Sequence, residues 1–142
     1  MSVCKNEQDE QHLRVLDATA KLVDYTYDRT QKEKANDERG GFPKSARRLA
    51  NQLWDQAFYA DCYISAANDY FVHSKEDYIE RRRLQMRARG LLRGFPRTLY
   101  LAHRKGYVPD NRLDFWAALT SEACRLLDAW IKADEQRYKN IG

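Results

Sequence analysis

Apolar residues recur at intervals of three and four along almost the whole chain, and the pattern lapses at only a few short stretches. In the first segment Leu13, Leu16, Ala20, Val23 and Tyr27 are spaced 3-4-3-4, which predicts one helical stripe over about residues 8–34. The stretch NDERGGFPK (36–44) interrupts it, with Gly40 and Gly41 giving backbone freedom and Pro43 placed for a helix start. A second segment, 44–72, carries Ala46, Leu49, Leu53, Ala57, Ala60, Ile64, Ala67 and Phe71 within one narrow arc at 100° per residue. Ser74 with Asp77 three residues later resembles a capping box with a shortened acid, opening a third helix over 75–105. Gly106 ends that segment. A fourth, 110–138, starts at Pro109-Asp110 and turns Leu113, Trp116, Thr120, Cys124, Leu127 and Ile131 inward.

No strand-like alternation and no internal repeat occurs between these breaks. The expectation is therefore all-α: a single-domain, up-down-up-down antiparallel four-helix bundle over 8–138, preceded by a short polar arm at 1–7. Pro96 lies inside the third segment, yet the apolar stripe keeps phase across it. One kinked helix is predicted there, not two.

Charge changes the picture at one place. The stretch RRRLQMRARGLLRGFPRTLYLAHRK (81–105) holds nine Lys or Arg residues and no acid, although the 142-residue chain has a net charge of only +4. Winding it as a helix puts Leu84, Ala88, Leu91, Leu92, Phe95, Leu99 and Ala102 on one side. Arg82, Arg83, Arg87, Arg89, Arg93, Arg97, Arg104 and Lys105 fall on the other. Arg89, Arg93 and Arg97 step along one ridge at i, i+4, i+8, about 6 Å apart. Planar guanidinium forks at that spacing suit phosphates. The strip therefore reads as a surface for a nucleic-acid backbone, with little base selectivity. Two blander accounts stand beside it: a solvated face, or one paired with acids on the first and fourth helices.

Apolar residues also fall outside the predicted core. Met86, Tyr100 and Leu101 project among the arginines, Trp54, Phe58, Tyr59, Tyr63 and Tyr70 flank the second stripe, and Phe115, Leu119, Leu126 and Trp130 form a second strip on the fourth helix. Their number exceeds what one small bundle interior holds, so a subunit or partner interface is expected at Met86, Tyr100, Leu101, Phe115, Leu119, Leu126 and Trp130.

Chemistry is sparse. The three histidines, His12, His73 and His103, have no metal-ligand spacing, and no P-loop, dinucleotide fingerprint or nucleophile elbow occurs. Cys4, Cys62 and Cys124 form neither a disulfide framework nor a zinc pattern, and Cys62 and Cys124 read as packing residues. No apolar run is long enough to span a membrane and no signal peptide is visible, so a cytoplasmic protein without cofactor, metal or catalytic residue is expected.

Four motifs in order carry a resemblance: FPK (42–44), SAAN (65–68), EDYIERRRLQ (76–85) and LLDAWIKADEQRY (126–138). The set resembles four-helix-bundle proteins grouped with the 23S rRNA intervening-sequence proteins, and among them the accessory variability determinant (Avd) proteins associated with reverse transcriptases. That resemblance spans about residues 10–138. It implies a non-enzymatic accessory protein, assembled as a ring (a pentamer in that group), binding RNA or DNA through a basic surface and docking a reverse transcriptase. By position it assigns the nucleic-acid surface to the helix around Arg93 and Arg97, and matches Arg81, Arg82 and Arg83 to the basic pair following EDY. Pro96 and the acidic NEQDEQ (6–11) lie outside its pattern. The competing expectations are an interaction module whose basic face docks an acidic protein, and an enzyme, either a small nuclease or a metal-dependent bundle.

Overall fold

A computed structural model describes residues 3–32 and 42–142, with side chains from Gln11 onward. Residues 33–34 of the first predicted helix, the Gly40-Gly41 pair and the first two residues of the arm lie outside these. Four helices follow one another: α1 (Val3–Thr30), α2 (Arg47–Asn68), α3 (Lys75–Arg104) and α4 (Asp110–Tyr138), with a single 3-10 turn at Lys44–Ala46 leading into α2. Among the described residues there is no strand. Each helix packs on two neighbours, α1 on α2, α2 on α3, α3 on α4 and α4 on α1, so the four close into a square. The pairings Thr19–Asp61, Gln31–Asn51 and Trp116–Thr26 show that neighbours run antiparallel. This is the all-α four-helix bundle that the periodicity predicts.

Helix boundaries follow from local chemistry. Ser74 caps α3, its Oγ accepting from the Asp77 amide at 3.2 Å, while the Asp77 carboxylate accepts from the His73 amide at 3.0 Å. The aspartate thus serves the amide one residue before the cap. At the other end Gly106 adopts φ 85°, the left-handed conformation that a Cβ disfavours. Its amide reaches the His103 carbonyl at 2.9 Å and that of Tyr107 reaches Ala102 at 3.0 Å, a Schellman closure. Between them α3 is continuous through Pro96, which lies on its exposed face. α1 begins at Val3, so its first turns take in residues 3–7, which the sequence pattern leaves as an arm.

The core is a single cluster centred on Leu22, Leu53, Ile64, Leu92, Phe95, Leu99, Trp116, Leu127 and Trp130. Predicted and observed faces agree closely on α2 and α3. Phe71 is the exception: α2 ends at Asn68, and Phe71 is 78% exposed beyond it.

On α1 the observed face differs. Val15, Ala18, Thr19, Leu22, Thr26 and Thr30 are buried, whereas Leu13 and Tyr27 are 57% and 45% exposed and Ala20 faces solvent. The true inner stripe sits one residue away from the predicted one, a rotation of about 100°. Three threonines explain the miss, because each hides its hydroxyl in a hydrogen bond. Thr26 accepts from Trp116 Nε1 at 3.0 Å, Thr30 donates to the Thr26 carbonyl at 2.6 Å, and Thr19 donates to Asp61 at 2.7 Å. With those bonds made, burial costs little and the methyl groups pack as apolar surface.

Candidate nucleic-acid interface

The basic face of α3 is held in place from beneath by a buried polar cluster. Arg81 grips Asp134 of α4 with both arms of its guanidinium, Nε at 2.8 Å and Nη2 at 3.1 Å. Gln85 adds a donor to the same carboxylate at 2.9 Å. The Arg81 plane stacks 4.9 Å from the Trp130 ring, and its remaining nitrogen reaches the Tyr70 carbonyl at 3.4 Å. All three polar residues are buried. Two of the quoted motifs, EDYIERRRLQ and LLDAWIKADEQRY, therefore meet in space through Arg81, Gln85, Trp130 and Asp134, where they register α3 against α4.

Above that cluster the ridge is partly neutralised. Arg82 pairs with Glu135 at 2.7 Å, and Arg89 and Arg93 share Asp128 at 3.1 and 3.4 Å. The hydrogen bond that Arg82 donates to Glu135 holds its guanidinium above its ordinary pKa. Arg83 turns back on Glu80 at 2.7 Å. No acid lies within the 81–105 strip, but α4 supplies its own across the seam. These pairs are half-exposed, a setting in which an ion pair is worth about 0–1 kcal/mol and an incoming phosphate competes readily.

Arg97, Arg104 and Lys105 differ. Each is exposed and has no acidic partner among the described residues. The last two also sit at the C-terminus of α3, where positive charge meets the favourable end of the helix dipole. Arg87 lies over the Tyr63 ring of α2 at 5.8 Å. The i, i+4, i+8 ridge thus splits into Arg89 and Arg93, leashed to α4, and Arg97, open to solvent.

The residues expected to form one interface fall on several faces. Trp130 does not belong to it: at 1% exposure it is a core residue, turned inward beneath Arg81. Its place on a second strip of α4 reflects how wide the buried face is, running from Trp116 and Ala123 through Leu127 to Asp134. Leu119 and Leu126 are partly buried and line a groove of about 310 Å³ between α1 and α4, beside Asp17 and Glu122. Phe115 is 53% exposed and packs edge-on to Tyr25 at 4.9 Å. Leu101 is partly buried on α3. Met86 and Tyr100, 37% and 49% exposed, also lie on α3, Met86 toward α2.

The remaining candidate chemistry is dispersed. His12 lies near Trp130, His73 sits at the cap of α3, and His103 Nε2 pairs with Asp110 at 2.7 Å. Among the described residues no group of three or more His, Cys, Asp or Glu could hold a metal ion. Cys62 is exposed, contrary to its expected packing role, and Cys124 is half-buried. Burial, with Asp61 and Asp128 nearby, raises both thiol pKa values, the opposite of nucleophile activation. No described helix is long and apolar enough to cross a membrane.

Sequence pattern alone missed the Arg81–Asp134–Gln85 cluster, although a signal was present. Arg81 and Asp134 both fall in phase with the apolar stripes of their helices, and a charge in phase with a core stripe needs a buried partner. Comparison with protein-family models, curated proteins and solved structures finds no match to this chain.

Proposed function

We propose that this bundle is a non-enzymatic accessory protein of a reverse transcriptase, holding RNA or DNA by its backbone and assembling as a ring, with five subunits as the expected number. The observation that carries the nucleic-acid half is the set of exposed cations toward the C-terminal end of α3, Arg97, Arg104 and Lys105, which have no acidic partner among the described residues. Arg97 and Arg104 continue a ridge whose other arginines, Arg89 and Arg93, are held only by exchangeable surface pairs, and Lys105 flanks it on the α2 side. The ring and the polymerase rest on the motif resemblance. Exposed aromatics such as Phe115, Tyr100 and Tyr59 support a further contact surface.

Fluorescence anisotropy with labelled RNA of several unrelated sequences tests the reading. Replacing Arg97 and Arg104 by Gln is expected to weaken all of them alike, because backbone contacts carry no sequence information. An unchanged affinity, or a loss confined to one sequence, contradicts it. Recovery of a reverse transcriptase with the tagged protein after nuclease treatment tests the partner.

A further inference from the structure

The seam between α2 and α3 differs chemically from the others. Midway along it lies an open groove of about 530 Å³, lined by Tyr59, Tyr63, Met86, Arg87, Gly90 and Leu91. Toward the α3 C-terminus a second groove, about 470 Å³, is bordered by Arg48, Gln52, Lys105 and Tyr107. Among the described residues neither is lined by a carboxylate. The grooves at the α1/α4 and α3/α4 seams both are, by Asp17 with Glu122 and by Asp128 with Glu135. Aromatic rings and cations therefore line both grooves of this seam, with exposed Asp55 of α2 as the nearest acid on the helix between Gln52 and Tyr59.

Their geometry is that of a stacking surface. Tyr59 is half exposed, and the Tyr63 ring already carries the Arg87 guanidinium at 5.8 Å. Arg87 itself is exposed, so its guanidinium is within reach of a ligand. A planar cation stacked on a ring offers a base its own flat face and offers a phosphate its edge donors. Gly90 adds a second indication. A Cβ there would meet nothing within 4 Å, so no contact inside the chain requires glycine, which nonetheless weakens a helix interior. Its missing side chain deepens the groove beside the two tyrosines.

We propose that the α2/α3 seam is a stacking platform for single-stranded nucleic acid, with bases on Tyr59 and on the Tyr63–Arg87 pair and phosphates drawn to Arg87, Arg48 and Lys105. The proposal rests on the nucleic-acid reading above and narrows it to unpaired strands. A duplex hides its base faces and uses only the cations, whereas an unpaired strand uses rings and cations together. From Gln52 to Tyr59 is about 10 Å along the α2 axis, so a short strand spans both grooves. Charge disfavours a symmetric contact with a second copy, which would set Arg87, Arg48 and Lys105 against themselves.

The test compares a labelled oligouridine with a labelled RNA duplex of the same length, using the full chain. Tyr59→Ala with Tyr63→Ala is expected to weaken oligouridine binding roughly 10-fold or more while sparing the duplex. The corresponding Phe pair, which keeps both rings, should bind as the wild type does. Gly90→Leu removes neither ring nor charge and fills the groove, so it is expected to weaken the oligouridine selectively. Unchanged oligouridine binding in both the Ala pair and Gly90→Leu overturns the platform while leaving backbone binding intact. An equal loss on the duplex, or a changed oligomeric mass in Gly90→Leu with unaltered RNA affinity, also overturns it, the latter by identifying an interface between copies. A wild-type protein that binds neither probe removes the platform together with the reading beneath it.

Discussion

Arg81 and Arg97 are only sixteen positions apart on one helix and do opposite things. Arg81 is buried and fully engaged by Asp134, so its charge is spent on registering two helices. Removing one member of such a pair leaves the other uncompensated in a poor solvent for charge. Asp134→Ala is therefore expected to destabilise the fold by about 3–5 kcal/mol in chemical denaturation. Replacing all three buried polar members, Arg81→Met and Gln85→Leu with Asp134→Leu, should recover most of that loss, and a triple variant as weak as the single one would contradict the account. The thiols allow a gentler check. Partial burial raises the pKa of the half-buried Cys124, so its reactive thiolate is scarce at neutral pH and grows as pH rises past the ordinary thiol range. Alkylation at Cys124, resolved from Cys4 and Cys62 by peptide mass spectrometry, should be slower than for free cysteine near pH 7 and accelerate on the alkaline side. Fast labelling of Cys124 at neutral pH would count against its assigned environment. At this scale the sequence was legible where chemistry and hydropathy agree, as for Leu92, Phe95 and Leu99. It misled where a polar residue is buried with its partner, as for Thr19, Thr26, Arg81 and Asp134, because the partner comes from another helix.

Among the elements, α3 combines most of the molecule's demands. Its inner face packs the core, its α4 side bears the ion pairs, its α2 side bears the grooves, and its outer edge presents Arg97. The number and order of helices were readable from the 3-4 spacing and the Gly and Pro breaks, and the continuity of α3 through Pro96 was readable from the unbroken phase of its stripe. The rotation of α1 was not readable, since its leucine-rich and threonine-rich faces compete and only Trp116 and Asp61 decide between them. Two glycines of this region separate structural from functional need. Gly106→Ala forces a Cβ into a left-handed position and should cost about 1 kcal/mol or more. Gly90→Ala meets no contact inside the chain and should stabilise the protein by about 0.5–1 kcal/mol. Thermal denaturation measures both. A destabilising Gly90→Ala would show that the fold itself, not the groove, needs this glycine.

For the whole molecule the distribution of charge matters more than its sum. A net +4 is modest, yet Asp128 and Glu135 of α4 offset the arginines along the α3/α4 seam, while the described linings of the α2/α3 grooves carry cations and no carboxylate. That division could not be read from the third segment alone, because the strip contains no acid and its counter-charges lie thirty-five or more positions downstream. The candidate site was thus half legible: the basic helix was visible in one dimension, and which of its cations remain available was visible only in three. Backbone binding is the central claim, and the salt dependence of affinity tests it most directly. For a labelled oligouridine, log affinity is expected to fall linearly with log salt, losing roughly 0.7 of slope for each phosphate contact removed with Arg97 and Arg104. A flat response of the wild-type protein, or a slope unaltered in that double variant, would contradict it.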